Sequence, residues 1–118
     1  MNIGKIGGAG EQAALQHLEK LGYRVLQQNW QTRFGEVDII AENGEYLVFA
    51  EVKTRKSGAA VRGVEAVGAA KQQRIVAAAS AYLQQNETML QPRFDVIEIA
   101  HANGAYHVLQ HIEDAFGV

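Results

Sequence analysis

Apolar positions recur at two periods along this chain, and each change of period marks a change of element. Ala14, Leu15, Leu18 and Leu21 are spaced three and four apart, which predicts a first helix over 10–21 with Gly22 just past its end. One turn earlier the same stripe passes through Glu11, so this carboxylate is expected to face the protein. Residues 23–30 read as a strand. Two short apolar runs follow, Val37-Asp38-Ile39-Ile40 and Leu47-Val48-Phe49-Ala50-Glu51-Val52-Lys53, of the kind that form buried strands. Asn43-Gly44 joins them as a hairpin, since both residues tolerate the positive φ of a type I′ turn. Residues 54–63 lack periodicity and read as a mobile loop. Helical spacing returns with Ile75, Val76, Ala79, Tyr82 and Leu83, predicting a second helix over 64–85. Strands over 94–100 and 105–110 are joined by Asn103-Gly104, and a short helical turn is expected over 112–116. The order α-β-β-β-α-β-β predicts an α/β fold, a mixed sheet with helices packed on it.

Length and composition narrow the classes. The 118 residues fit one domain with a single sizeable core, and the apolar and charged fractions are those of an ordinary globular protein. Cysteine is absent, which excludes disulfides and thiolate metal sites and leads us to expect a reducing compartment. No stretch is long and apolar enough to span a bilayer, and residues 1–9 form no apolar leader, so a cytoplasmic protein is expected. The glycines of that first segment lack the order of a phosphate-cradling loop and read as a flexible arm.

Charge adds a partner. The net charge is −2, yet Lys53, Arg55, Lys56, Arg62, Lys71 and Arg74 are opposed between positions 53 and 74 only by Glu65. That segment carries +5 and the remainder −7, so a basic stripe able to track a phosphate backbone lies on an acidic chain. The plainer alternative is a solvated helix face beside a loop. His101, His107 and His111 surround the last hairpin with no familiar ligand spacing, and His17 lies off the first helix's stripe. All four are expected at the surface. For Trp30 and Tyr46, packing in the core or at an edge is expected in preference to stacking on bases.

Charged side chains inside apolar strands are rarely without a purpose. The hairpin places Asp38 and Glu51 on adjacent strands, and residues two apart share a face, so Glu51 lies with Lys53 and Glu36 with Asp38. Val37, Ile39, Val48, Ala50 and Val52 then take the opposite faces. Two carboxylates and a lysine suit phosphodiester hydrolysis. Mg²⁺ prefers oxygen ligands, keeps several waters, and needs only one or two carboxylates beside a substrate phosphate. Asp38 and Glu51 are the candidate ligands. Lys53 can stabilise developing negative charge, and Glu11 can bind a second metal or hold a metal-bound water.

Gly35-Glu36-Val37-Asp38-Ile39-Ile40 followed by Phe49-Ala50-Glu51-Val52-Lys53-Thr54-Arg55 resembles the PD-(D/E)xK nuclease signature. It is most similar to the form in small bacterial YraN-type proteins, relatives of archaeal Holliday-junction resolvases. The resemblance extends to Gly10-Glu11 with Ala14, Gly22-Tyr23, Asn29, Lys71 with Arg74, Arg93-Phe94-Asp95 and Ala115-Phe116. It departs at Ala50, where a larger β-branched residue is usual, and at Glu36-Val37, which replace the motif's proline. The resemblance implies a restriction-endonuclease-like fold, with Asp38, Glu51 and Lys53 as the core triad and Glu11 as the helix carboxylate. It also implies a divalent metal, Mg²⁺ or Mn²⁺, DNA as substrate, branched DNA included, and a homodimer. Arg55, Lys56, Arg62, Lys71 and Arg74 are then the expected phosphate contacts. Two alternatives remain open on the same scaffold, a nucleic-acid-binding module with little or no turnover and an adaptor for an acidic protein partner.

Overall fold

The computed structural model describes residues 8–56 and 67–117. Among the described residues seven elements follow the predicted order: α1 (Ala9–Lys20), β1 (Arg24–Thr32), β2 (Gly35–Glu42), β3 (Tyr46–Lys56), α2 (Ala69–Gln85), β4 (Gln91–Ala102) and β5 (Ala105–Phe116). The strands form one sheet in the order β1-β2-β3-β4-β5. Only β3 and β4 are parallel, because the chain crosses from one to the other through α2 and every other neighbouring pair is antiparallel. Among the described residues no helix is long and apolar enough to cross a membrane.

Each face of the sheet buries its own apolar set, as strand alternation requires. On one face Phe49, Phe94, Val96, Val37 and Ile40 pack with Ile75, Ala78, Ala79 and Tyr82 of α2. On the other, Val48, Ala50, Ile39, Ile97 and Ile99 pack with Ala14, Leu15 and Leu18 of α1. The alanines of α2 let the helix approach closely. Trp30 belongs to this packing, its indole N–H donating to the Ala78 carbonyl at 2.9 Å and its ring meeting Tyr82 edge-on. Tyr46 is covered by the Arg93 guanidinium, 4.6 Å from its ring centroid.

Several local expectations are corrected. Val37 and Ile39 do not share a face: Val37 joins the α2 layer and Ile39 the α1 layer, so β2 switches face at Asp38. Asn29, across β1 from this point, takes φ 52°, a conformation asparagine accepts more readily than most residues. In the β2–β3 turn only Gly44 has positive φ; Asn43 instead accepts the Glu45 and Tyr46 N–H groups on its side chain. Leu21 ends α1 and is exposed, so the helix's apolar stripe stops at Leu18. Residues 8 and 9 cap and begin α1 instead of continuing an arm, and residues 54–56 extend β3 instead of opening a loop. The rest of the arm, residues 1–7, and the rest of the loop, 57–63, lie outside the described residues, as do positions 64–66 at the expected start of the second helix.

The predicted helical turn over 112–116 is strand. Phe94 pairs with Phe116 and Val96 with Ile112, so three residues of β5 bulge opposite Asp95 alone. Asp114 takes φ 53° in that bulge and donates its N–H to Asp95.

Candidate active site

β2 and β3 pair as far as Ile39 and Ala50, and the next residues along the two strands are Asp38 and Glu51. Beyond that pair Asp38 turns its carboxylate onto the backbone, and Oδ2 accepts the Val52 N–H at 2.8 Å. Glu51 projects into the α2 layer and is only 3% exposed. The first turn of α2 brings Lys71 over it, with Nζ 3.4 Å from Oε2, while Lys53 lies 3.9 Å from the same oxygen. The other oxygen, Oε1, is buried and has no hydrogen-bond partner among the described residues. Burial pushes the Glu51 carboxyl from an ordinary 4.5 up to about 7, and the neighbouring Asp38 carboxylate adds to the rise. Lys71 and Lys53 oppose it.

Two glycines seat the helices on this corner. A Cβ on Gly10 would stand 2.1 Å from the Thr54 Oγ1, so α1 begins in contact with β3. A Cβ on Gly35 would stand 2.3 Å from the Arg74 carbonyl oxygen, so the β1–β2 turn lies directly against α2. Glu11 follows Gly10 and accepts a hydrogen bond from Asn29 Nδ2 at 3.1 Å. Glu11 is therefore held towards the β1–β2 side of the sheet. Among the described residues it does not form a three-acid group with Asp38 and Glu51.

The expected phosphate contacts divide. Lys71 and Arg74 line an open groove of about 510 Å³ between the β1–β2 turn and α2. Arg55 points into the α2 layer, where its guanidinium sits 2.6 Å from Glu98 and is 11% exposed. Arg55 is therefore already engaged by an acid. Lys56 ends β3, and Arg62 lies outside the described residues.

With this geometry in view, comparison with known proteins places the chain. Residues 10–99 match the uncharacterised protein family UPF0102. The chain belongs to UPF0102. This is the YraN-like family that the motifs resemble. A UPF0102 protein of Alkaliphilus oremlandii (strain OhILAs) is 45% identical over 115 residues, covering 95% of this chain and 97% of its own. One from Rhodococcus opacus (strain B4) is 38% identical over 112 residues, with 94% and 95% covered. One from Symbiobacterium thermophilum is 47% identical over 96 residues, with 80% and 81% covered.

This UPF0102 chain also holds a polar network that sequence reasoning missed. Arg93 grips both oxygens of the fully buried Asp95, at 2.9 and 2.8 Å, and donates to the Tyr23 hydroxyl. His111 Nε2 lies 2.8 Å from Asp95 Oδ2, and its Nδ1 lies 2.9 Å from His17 Nε2. Neither histidine is the plain surface residue expected of it. His101 is partly buried, its ring stacked on Tyr106, and of the four histidines His107 alone is exposed. Burial opposes ionisation of Asp95, but hydrogen bonds from His111, Arg93 and the Asp114 N–H outweigh it and hold the carboxyl below 3.8. His17 is lowered from 6.5 by burial and by the charge of His111. Glu98 is a second missed acid, paired with Arg55 and accepting from Gln110. The available signal was the one that picked out Asp38 and Glu51, since Asp95 and Glu98 also interrupt an apolar strand.

Proposed function

We propose that this protein is a metal-dependent nuclease of the PD-(D/E)xK type that hydrolyses phosphodiester bonds in DNA, with branched or otherwise structured DNA among its substrates. One observation carries the reading. Among the described residues Glu51 is a buried carboxyl whose Oε1 receives no donor, next to the Asp38 carboxyl and under two lysines. A purely structural acid would have its oxygens satisfied. A divalent cation fits that vacant acceptor, with Asp38 and Glu51 as the residues that would hold it. When bound, such an ion supplies charge neutralisation at the phosphoryl oxygens. Lys53 and Lys71 place positive charge where negative charge develops during hydrolysis. Glu11, which accepts a hydrogen bond from Asn29, would hold a metal-bound water. A homodimer would give two symmetric sites for a four-way junction.

The competing reading is a nucleic-acid-binding module with little turnover. It is favoured by the lack, among the described residues, of three acids or imidazoles gathered for a metal. One comparison separates the two. Wild type and Asp38→Ala are incubated with duplex, single-stranded, flap and four-way-junction DNA, in Mg²⁺, Mn²⁺ or chelator. Metal-dependent cuts that disappear in the variant support the nuclease. Equal cutting by both proteins, or binding without cutting, refutes it.

A further inference from the structure

We propose that the tip of the β1–β2 hairpin is a stacking platform for an unpaired base of a single nucleic-acid strand, whose phosphates pass along the adjoining groove towards Lys71. The inference rests on the nucleic-acid partner proposed above, but not on catalysis. Phe34 is 60% exposed at this tip. A lone exposed aromatic is ordinary. Three observations set this one apart.

First, the turn is fixed. The Thr32 hydroxyl accepts the N–H groups of Phe34 and Gly35 at 3.0 and 3.2 Å and donates to the Gly35 carbonyl at 3.1 Å. Gly35 is in turn pressed against the α2 backbone. The backbone that carries the ring is thus held before any base covers it. Second, the Arg33 guanidinium carbon lies 5.3 Å from the Phe34 ring centroid, so a cation accompanies the apolar face. Third, the groove of about 510 Å³ runs from Arg33 and Phe34 to Lys71 and Arg74, with Glu36 as the acid on its wall. Lys71 also contacts Glu51, so the groove leads to the buried carboxyl.

Together these are an aromatic platform beside a cationic track, the combination that binds single strands with little regard to sequence. A paired base inside a duplex is already stacked on both faces and cannot cover Phe34. The site therefore selects unpaired nucleotides, such as those at a frayed end, flap or junction.

Fluorescence anisotropy with labelled single-stranded and duplex oligonucleotides, in DNA and RNA versions and in chelator to prevent cutting, tests the proposal. Phe34→Ala is expected to weaken single-strand binding on the order of 5- to 100-fold while leaving duplex binding unchanged. Phe34→Trp should restore it. The salt dependence of Phe34→Ala should match wild type because the ring is uncharged, whereas Arg74→Ala should flatten it. Loss confined to the DNA or the RNA strand supports the platform and names the natural ligand. Unchanged single-strand affinity in a folded Phe34→Ala protein overturns the proposal, as does an equal loss on duplex. The two readings fail separately. Cleavage that needs Asp38 with no effect of Phe34 removes only the platform, and Phe34-dependent binding without any cleavage removes only the nuclease.

Discussion

Glu51→Gln isolates the ionisation of the buried acid, because it keeps the side chain's size and removes its titration. In the native protein this carboxyl titrates at about 7, against 4.5 for an ordinary glutamate. Between those values the folded state holds a proton that the unfolded state has released, so wild-type stability falls as pH rises. The separation of about 2.5 pH units, at 1.36 kcal/mol each, gives roughly 3 kcal/mol. Little discount for solvent applies, since the residue is 3% exposed. Glu51→Gln should therefore match wild type to within a constant offset near pH 4.5 and become progressively more stable, by up to about 3 kcal/mol, above pH 7. Urea unfolding followed by fluorescence of Trp30, the chain's single tryptophan and part of its core, measures the difference. Addition of Mg²⁺ above pH 7 should stabilise wild type and leave the variant unaffected, since a metal needs the carboxylate. A stability difference that stays flat across pH would refute the assignment of a raised pKa.

Lys71→Ala removes a charge that opposes the rise at Glu51, so the acid limb of the cleavage pH profile should move to higher pH than in wild type. An unmoved limb would show that Lys71 does not tune this acid. Asp95→Ala takes from Arg93 its buried partner, leaving the exposed Glu113 at 3.7 Å and the Tyr23 hydroxyl, and is expected to cost about 3 kcal/mol in chemical denaturation. In wild type the depressed Asp95 pKa contributes stability that is complete above pH 3.8 and is lost as pH falls below it, visible as steeper acid unfolding. Gly10→Ala drives a methyl group into Thr54 and should cost about 1–3 kcal/mol in a thermal melt, with a larger fall in activity because the helix start that carries Glu11 is displaced.

The sequence exposed most of the fold because its signals are local. The stripe of α1, the apolar runs of β3 and β4 and the asparagine–glycine turns each depend on neighbours a few residues away. Where contacts from a distance prevail, the reading fails. Ile112, Ala115 and Phe116 have helical spacing, yet Phe116 stacks on Phe94 at 5.3 Å and Asp114 bonds to Asp95, which draws the segment into the sheet as a bulged strand. The face switch at Asp38 is equally invisible, because a strand pattern read with strict alternation has no place for it.

Sequence by itself determined that Asp38 and Glu51 lie on adjacent strands of one hairpin and that Lys53 shares a strand face with Glu51; the register that sets the two acids side by side came from the fold. Tertiary structure alone decided what each charge meets. It set Lys71 over Glu51 and left one oxygen of that acid without a donor among the described residues; it drew Arg55 inward to Glu98; and it joined His17 to His111, 94 positions apart. The reason is physical. Periodicity is a property of the backbone and is written in consecutive residues, whereas a carboxyl's pKa and partners depend on burial and on charges a few ångströms away, which the packing of distant elements supplies.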